Sequence, residues 1–341
     1  MNRTGVLRCL IAAVLFGASA PAASQLAGDI PTLVLAGLLY VGAALAVAPI
    51  ALRRPRPLRQ LQSGGRRLAV AVVLGGAIGP ALLVAGLVRI PAATASLLLN
   101  FELVATIVIA AIVFHEHLGR RLVGSVALVL TAGILLVWQP GASFDLAALL
   151  VVGACLCWGV DNAVTARIDQ LAPEQITFAK GAVAGTANLV LGLIVTGAAG
   201  VTAARVVAAL AIGALGYGLS ITLWVKGARD LGAARGQVIF ATAPFVGAVI
   251  SWTLLGESVA AFQLAALGLA AVGVALSLET AHTHRHRHDA LEHEHEHTHD
   301  DGHHTHTHAE VVVGRHTHRH RHAPSEHEHP HVPDLHHAHG H

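Results

Sequence analysis

Runs of about twenty mostly apolar residues, the length that crosses a bilayer as an α-helix, recur throughout the first 280 positions of this 341-residue chain. They predict helices at about residues 6–24, 33–51, 68–88, 91–113, 120–138, 144–165, 175–197, 205–225, 235–255 and 260–279. Turn residues or charges separate them, as at Gly28-Asp29-Ile30-Pro31, the Arg-rich stretch 53–67, Gln139-Pro140-Gly141 and Gly256-Glu257-Ser258. Charged residues are only 12% and hydrophobic residues 54%, whereas a soluble domain carries about 25% charged residues. A soluble globule is therefore excluded, and the predicted fold class is all-α integral membrane with ten transmembrane helices. The first run also has features of a secretory signal: Arg3 and Arg8 precede it and Ala18-Ser19-Ala20 resembles a cleavage site. Cleavage there would remove a helix that the second half of the chain duplicates, so the run is read as helix one. Cys9, Cys155 and Cys157 cannot build a disulfide framework and are read as packing residues.

The helices fall into two halves. Phe16-Gly17-Ala18-Ser19 is echoed by Trp158-Gly159-Val160-Asp161, 142 residues on, and the apolar run ending at Glu116 is echoed by one ending at Glu257, 141 residues on. With the N-terminus inside, the cytoplasmic segments carry fourteen Lys/Arg against Arg89 and Arg205 outside, a strong positive-inside asymmetry. Five helices per half means that the halves insert in opposite directions. The predicted organisation is two inverted five-helix repeats, residues 1–140 and 141–281, followed by a His-rich tail at 282–341. Inverted repeats suit alternating access, with the site between them.

The sequence resembles the drug/metabolite transporter superfamily, EamA type. The resemblance rests on the two segments at Phe16 and Trp158, on Ala92-Ala93-Thr94-Ala95-Ser96-Leu97-Leu98-Leu99-Asn100-Phe101-Glu102, and on Phe114-His115-Glu116-His117-Leu118 paired with Leu255-Gly256-Glu257-Ser258-Val259. It departs where Leu103 follows Glu102 in place of proline, where Ala243-Pro244 keeps the proline without the acid, and where His115 replaces a glycine. The resemblance implies a proton-coupled or facilitative permease, often an exporter of amino acids, metabolites or drugs.

Polar residues inside the spans are the candidate substrate and coupling groups: Glu102, Asn100, Asp161, Asn162 and Gln237. An ionisable side chain at membrane depth is costly and faces a cavity or a partner, so Glu102, near the middle of helix four, could be a proton site. A later helix start would leave it at the outer interface instead. Asn100 could offer its amide to a substrate or to a neighbouring helix. Asp161 either lines a cavity or pairs with Lys180 or Arg167. Lys180 itself is read as snorkelling to the interface, Thr242 as a cavity polar group, Pro244 as shaping its helix, and Glu116 and Glu257 as helix-end residues.

The tail holds 23 of the 25 histidines, in repeated His-X-His. This alternation does not gather imidazoles on one helix face, and the expectation is a disordered chain that folds around an ion. The candidate ligands are His284, His286, His293, His295, His297, His304, His306, His318 and His320. Neutral imidazole suits nickel, zinc, cobalt or copper. Low-complexity sequence with incidental metal affinity and a pH-sensing tail are the other readings.

The expected function is secondary transport of a small organic solute, in the efflux direction. The alternative is a divalent metal transporter that uses the tail as cytosolic collector or sensor. An anchored metal sensor with an inactive core is a third class. No phosphate-binding loop of the Walker type is present, and neither enzymatic activity, a required cofactor nor a nucleic-acid partner is expected. The expected surroundings are the plasma (inner) membrane with both termini cytoplasmic, and a homodimer is compatible with such a chain.

Overall fold

The computed structural model describes residues 3–53, 65–114, 120–137, 147–165, 168, 171–198, 200–231, 239–277, 282–288, 291–297, 316–322 and 325–331. The chain divides into a helical unit that reaches Thr280 and a second unit, Ala281–Pro333. The helical unit contains α1 (Arg3–Ser24), α2 (Thr32–Ala51), α3 (Gly65–Leu87), α4 (Ala92–Leu98), α5 (Phe101–Phe114), α6 (Arg120–Val137), α7 (Ala148–Thr165), α8 (Pro173–Thr196), α9 (Ala203–Gly227), α10 (Ala243–Thr253) and α11 (Ala261–Ser277). Helices α4 and α5 are one apolar stretch interrupted at Leu99 and Asn100.

Among the described residues, seven helical stretches are long and apolar enough to cross a membrane, and shorter apolar helices span Val123–Leu136, Ala243–Thr253 and Ala261–Leu276. Prolines mark several helix starts: Pro31 and Pro91 directly precede α2 and α4, and Pro173 opens α8. A proline lacks an N–H that the first turn would leave unpaired in any case. The outer surface is apolar, with Ile194, Val195, Val207 and Leu254 each 65–77% exposed. Such a surface fits a hydrocarbon solvent and would be an aggregation liability in water.

The two halves are interleaved. α1 packs on α9 and α10 of the second half, while α7, its counterpart, packs on α3 and α5 of the first. α2 lies against α8 and α9, and α6 against α11. Small residues make these approaches possible. A Cβ on Gly37 would strike the backbone of Leu189, and one on Gly213 would strike the carbonyl of Leu39. Lipid tails leave little hydrophobic drive between helices, so close van der Waals contact at small residues carries the association.

The helices contain irregularities that the hydropathy runs did not indicate. π-helical turns occupy Ala71–Ile78 in α3, Lys180–Gly185 in α8 and Ala214–Leu219 in α9. Those in α3 and α9 fall at matching positions of the two halves. Such turns are uncommon and often mark functional sites.

The second unit is described at four segments of the His-rich tail. The described residues form β1 (His282–His288), β2 (Leu291–His297), β3 (His316–His322) and β4 (Ser325–His331). β1 pairs antiparallel with β4, and β2 with β3. The physical reason is periodicity: an alternation of two is wrong for a helix face but is the natural period of a strand. Charge also matches across the ladders, with Arg285 opposite Glu328 and Arg287 opposite Glu326 in one, and Glu292 opposite Arg321 and Glu294 opposite Arg319 in the other. His304 and His306 lie outside the described residues.

The interleaved packing makes a direct prediction. Gly213→Ala drives a methyl group into the backbone of α2, and overpacking of that kind costs about 1–3 kcal/mol. Thermal unfolding in detergent should show a lowered midpoint for Gly213→Ala. Gly268→Ala, where nothing lies within 4 Å of an added Cβ, should not show it.

Candidate functional site

The break between α4 and α5 opens the site. Asn100 stands eight residues from the start of α4 and Glu102 ten, about 12 and 15 Å into the bundle at the rise of an α-helix. Glu102 is half-buried at this point of the bundle. At the break the ladder tightens to shorter bonds, with Asn100 N donating to Leu97 O and Glu102 N to Leu99 O at 3.2 and 3.0 Å. Cys155 Sγ, from α7, reaches the Leu98 carbonyl at 3.6 Å.

The second half has a matching irregularity. Ala241 and Thr242 form a turn ahead of α10, and Thr242 is 142 residues beyond Asn100, the same offset as between Phe16 and Trp158. Thr242 Oγ1 donates to Ile239 O at 2.7 Å, so it caps its own turn. Pro244 follows with no N–H to give. The two irregular points meet at one small, partly open cavity lined by Phe16, Leu99, Asn100, Glu102, Leu103, Phe240, Ala241, Ala243 and Pro244. Non-helical backbone inside a membrane bundle is tolerated where it lines a cavity.

One polar cluster reaches this cavity through Glu102, and a second is joined to it by consecutive residues of α7. Asn162 Nδ2 donates to Glu102 Oε1 at 2.8 Å, and lies 3.4 Å from Thr106 Oγ1. Asp161, one residue earlier, receives Lys180 Nζ at 2.5 Å and Thr165 Oγ1 at 2.9 Å. The Lys180 and Asp161 side chains are 12% and 7% exposed. This decides between the alternatives for Asp161 and corrects the snorkelling expected of Lys180. The ammonium turns inward because a carboxylate is within reach, and Gly75 leaves the room: a Cβ there would fall on the Asp161 carboxylate. The partner of Glu102 is an amide, so its charge is not balanced by that hydrogen bond.

Asn100 is buried. Its Nδ2 donates to Leu97 O at 2.9 Å within its own helix, and its Oδ1 has no partner among the described residues. The amide group thus bonds within its own helix and not to a neighbouring one. The free group is the carbonyl oxygen of a cavity-lining side chain, an acceptor without a donor. Gln237, Glu116, His115 and His117 lie outside the described residues.

Several site residues were not anticipated. Tyr40 Oη and Trp158 Nε1 both donate to Gly75 O, at 2.6 and 3.1 Å, and Asn188 Nδ2 donates to Ala77 O at 3.0 Å. Side chains of α2, α7 and α8 thus meet carbonyls in the π-helical turn of α3. Tyr217 packs on Tyr40, and Phe16 on Trp158, Tyr217 and Phe240, with ring centroids 5.2–6.3 Å apart. The available clue was rarity: the chain has only two tyrosines, and both are buried here. At the other end of α4, Glu257 accepts the backbone N–H groups of Ala92 and Ala93 at 2.8 and 2.9 Å. A carboxylate of the second half therefore caps the broken helix of the first, where the helix dipole favours an anion. Gly256, at φ 68°, makes the turn that presents it.

The Asp161–Lys180 pair can be tested by itself. Removing one member of a buried pair leaves the other charge uncompensated, at about 3–5 kcal/mol. Asp161→Asn should lower the unfolding midpoint sharply, and adding Lys180→Met should recover most of the loss. Additive losses in the double variant would show that the two residues are not coupled.

A model of the EamA-like transporter family matches residues 3–138 and 145–278. No curated protein shows significant similarity to the chain. A solved crystal structure of a protein superposes with a TM-score of 0.58 at 17% sequence identity, over 81% of this chain and 97% of the other. At that identity the likeness shows a shared fold alone.

Proposed function

The chain belongs to the EamA-like transporter family, which makes it a membrane transporter of small solutes, and from that premise we propose that it is a ten-span, alternating-access exporter of a small organic solute driven by proton exchange at Glu102. The observation that carries this reading is the cavity itself. Two irregular helix points, one from each half, line it together with a partly buried acid whose hydrogen-bond partner is neutral. A solute bound there meets three kinds of group: the Asn100 carbonyl oxygen as an acceptor, Glu102 as an acceptor or proton donor, and Phe16, Phe240 and Leu103 as apolar walls. A solute carrying an N–H donor on a compact apolar frame suits those walls.

Each polar group has a distinct part. Glu102 exchanges a proton for solute, because a carboxyl beside an amide keeps a hydrogen bond in either protonation state: Asn162 Nδ2 donates to the carboxylate, and a rotated amide oxygen accepts from the acid. Asn162 orients it. Asp161 and Lys180, already paired, hold α7 against α8 and α3 and carry no net charge into the site. Positive residues concentrated on the segments that begin with the N-terminus support cytoplasmic termini in a plasma membrane.

The divalent-metal reading draws its support from the tail. The helical unit favours an organic solute, since no group of three or more His, Cys, Asp or Glu residues gathers there among the described residues. The tail is proposed as an accessory that binds nickel, zinc, cobalt or copper through neutral imidazoles.

Transport in proteoliposomes under an imposed pH gradient tests the coupling. Glu102→Gln should retain folding and solute binding but lose gradient-driven flux. Undiminished flux would overturn the role of Glu102. For the tail, truncation after residue 281 should leave membrane insertion intact and remove most zinc binding. Binding by the full chain should weaken as pH falls through about 6.5, where imidazoles protonate and cease to be ligands. Equal zinc uptake by full-length and truncated protein would refute the metal-binding tail.

A further inference from the structure

The tail is itself a duplication. His282-Thr-His-Arg-His-Arg-His288 recurs letter for letter at His316–His322, and over residues 282–297 and 316–331 twelve of sixteen positions are identical, 34 residues apart. Each copy has a basic half followed by an acidic half. The pairing crosses the copies both times: the basic strand β1 of the first lies on the acidic strand β4 of the second, and the acidic β2 of the first on the basic β3 of the second.

Register gives this pairing its consequence. Directly opposed residues of an antiparallel pair share a face, and the faces alternate with a period of two. In one ladder His282 is opposite His331, His284 opposite His329 and His286 opposite His327. In the other His293 is opposite His320, His295 opposite His318 and His297 opposite His316. Each ladder thus carries three consecutive opposed histidine pairs on one face, followed by His288 opposite Ser325 in one ladder and Leu291 opposite His322 in the other, while Arg, Glu and Thr positions and Pro330 share the other face. Slippage by one residue would put histidines opposite charges, and the Arg–Glu pairs oppose it.

Opposed Cβ atoms in such a pair lie about 4.5–5.5 Å apart, and the next pair lies about 7 Å along the strand at ~3.4 Å per residue. Two adjacent pairs thus place four histidine positions together on one face, and zinc takes four ligands, with nitrogen at about 2.0–2.1 Å. A hairpin within one copy would also match charges. Its connecting residues would be Asp289-Ala290 or Ala323-Pro324, and neither supplies the Asn or Gly that a two-residue turn requires.

Building on the metal-binding tail, we propose that each ladder holds a divalent transition-metal ion between one strand of each copy, so that metal binding and pairing of the copies are a single event. Strands from separate copies then make one site, and neither copy binds as tightly alone. A ligand that binds only the paired state stabilises it by mass action.

The test titrates the full-length protein in detergent with zinc chloride, following affinity by calorimetry and stoichiometry by metal analysis. Reversing β1 with Arg285→Glu and Arg287→Glu should weaken one of two zinc ions by about tenfold, because two opposed charge pairs become like-charged. Simple attraction of a cation to the added carboxylates would act in the opposite direction. Adding Glu326→Arg and Glu328→Arg should restore the affinity, at the wild-type net charge. Likewise, His284→Asn with His286→Asn should remove the same ion as His327→Asn with His329→Asn, and the four changes together should remove no more. Zinc binding that survives reversal unchanged, or that reversal weakens without rescue, overturns the shared site and leaves the metal-binding tail standing. A wild-type chain that binds no zinc overturns both.

Discussion

A hydrogen-bonding group inside an apolar bundle has no water to turn to and must find its partner within the protein. That constraint governs the helical unit. Where α4 gives way to α5, carbonyls released from the regular ladder are met by shorter bonds and by Cys155. Where α3 passes through π-helical turns, Tyr40, Trp158 and Asn188 supply donors from three other helices. Where α4 begins, Glu257 accepts two backbone N–H groups from the far end of the sequence. Each irregularity is thus tied to a helix of the opposite half or to a distant part of its own. The interleaving that small residues permit brings these partners into reach.

Within this scheme the unpartnered groups are the informative ones. Asn100 Oδ1 is buried without a donor at the cavity wall, and Glu102 has an amide where Asp161 has an ammonium. The Asp161 carboxylate and the Glu102 carboxylate, which the next residue Asn162 approaches, are therefore in different electrostatic situations. One is paired with an ammonium, and the other is bonded to a neutral amide. The halves contribute unequally: the break in the first carries an amide and an acid, and the corresponding turn in the second carries Thr242, Ala243 and Pro244.

Much of this was legible in the residues. The apolar runs predicted helices close to those described, the 142-residue offset between Phe16 and Trp158 also relates the irregular points at Asn100 and Thr242, and Glu102 and Asn162 were both singled out before they were found bonded. Lys180 was misread because its distance from a helix end is a one-dimensional quantity, while its partner Asp161 is supplied by packing. The tail's period of two is legible in the residues, and it is the natural period of the strands described there.

The sequence by itself determined that the chain is a duplicated helical membrane unit, because hydropathy and charge act along the chain and need no knowledge of neighbours. It also determined the strand-like alternation and the complementary charges of the tail. Only the tertiary structure decided which polar groups are satisfied. Hydrogen bonds such as Tyr40 to Gly75, Glu257 to Ala92 and Asn162 to Glu102 join residues 35, 165 and 60 positions apart. Their existence depends on how the helices interleave, which no local property of the chain encodes.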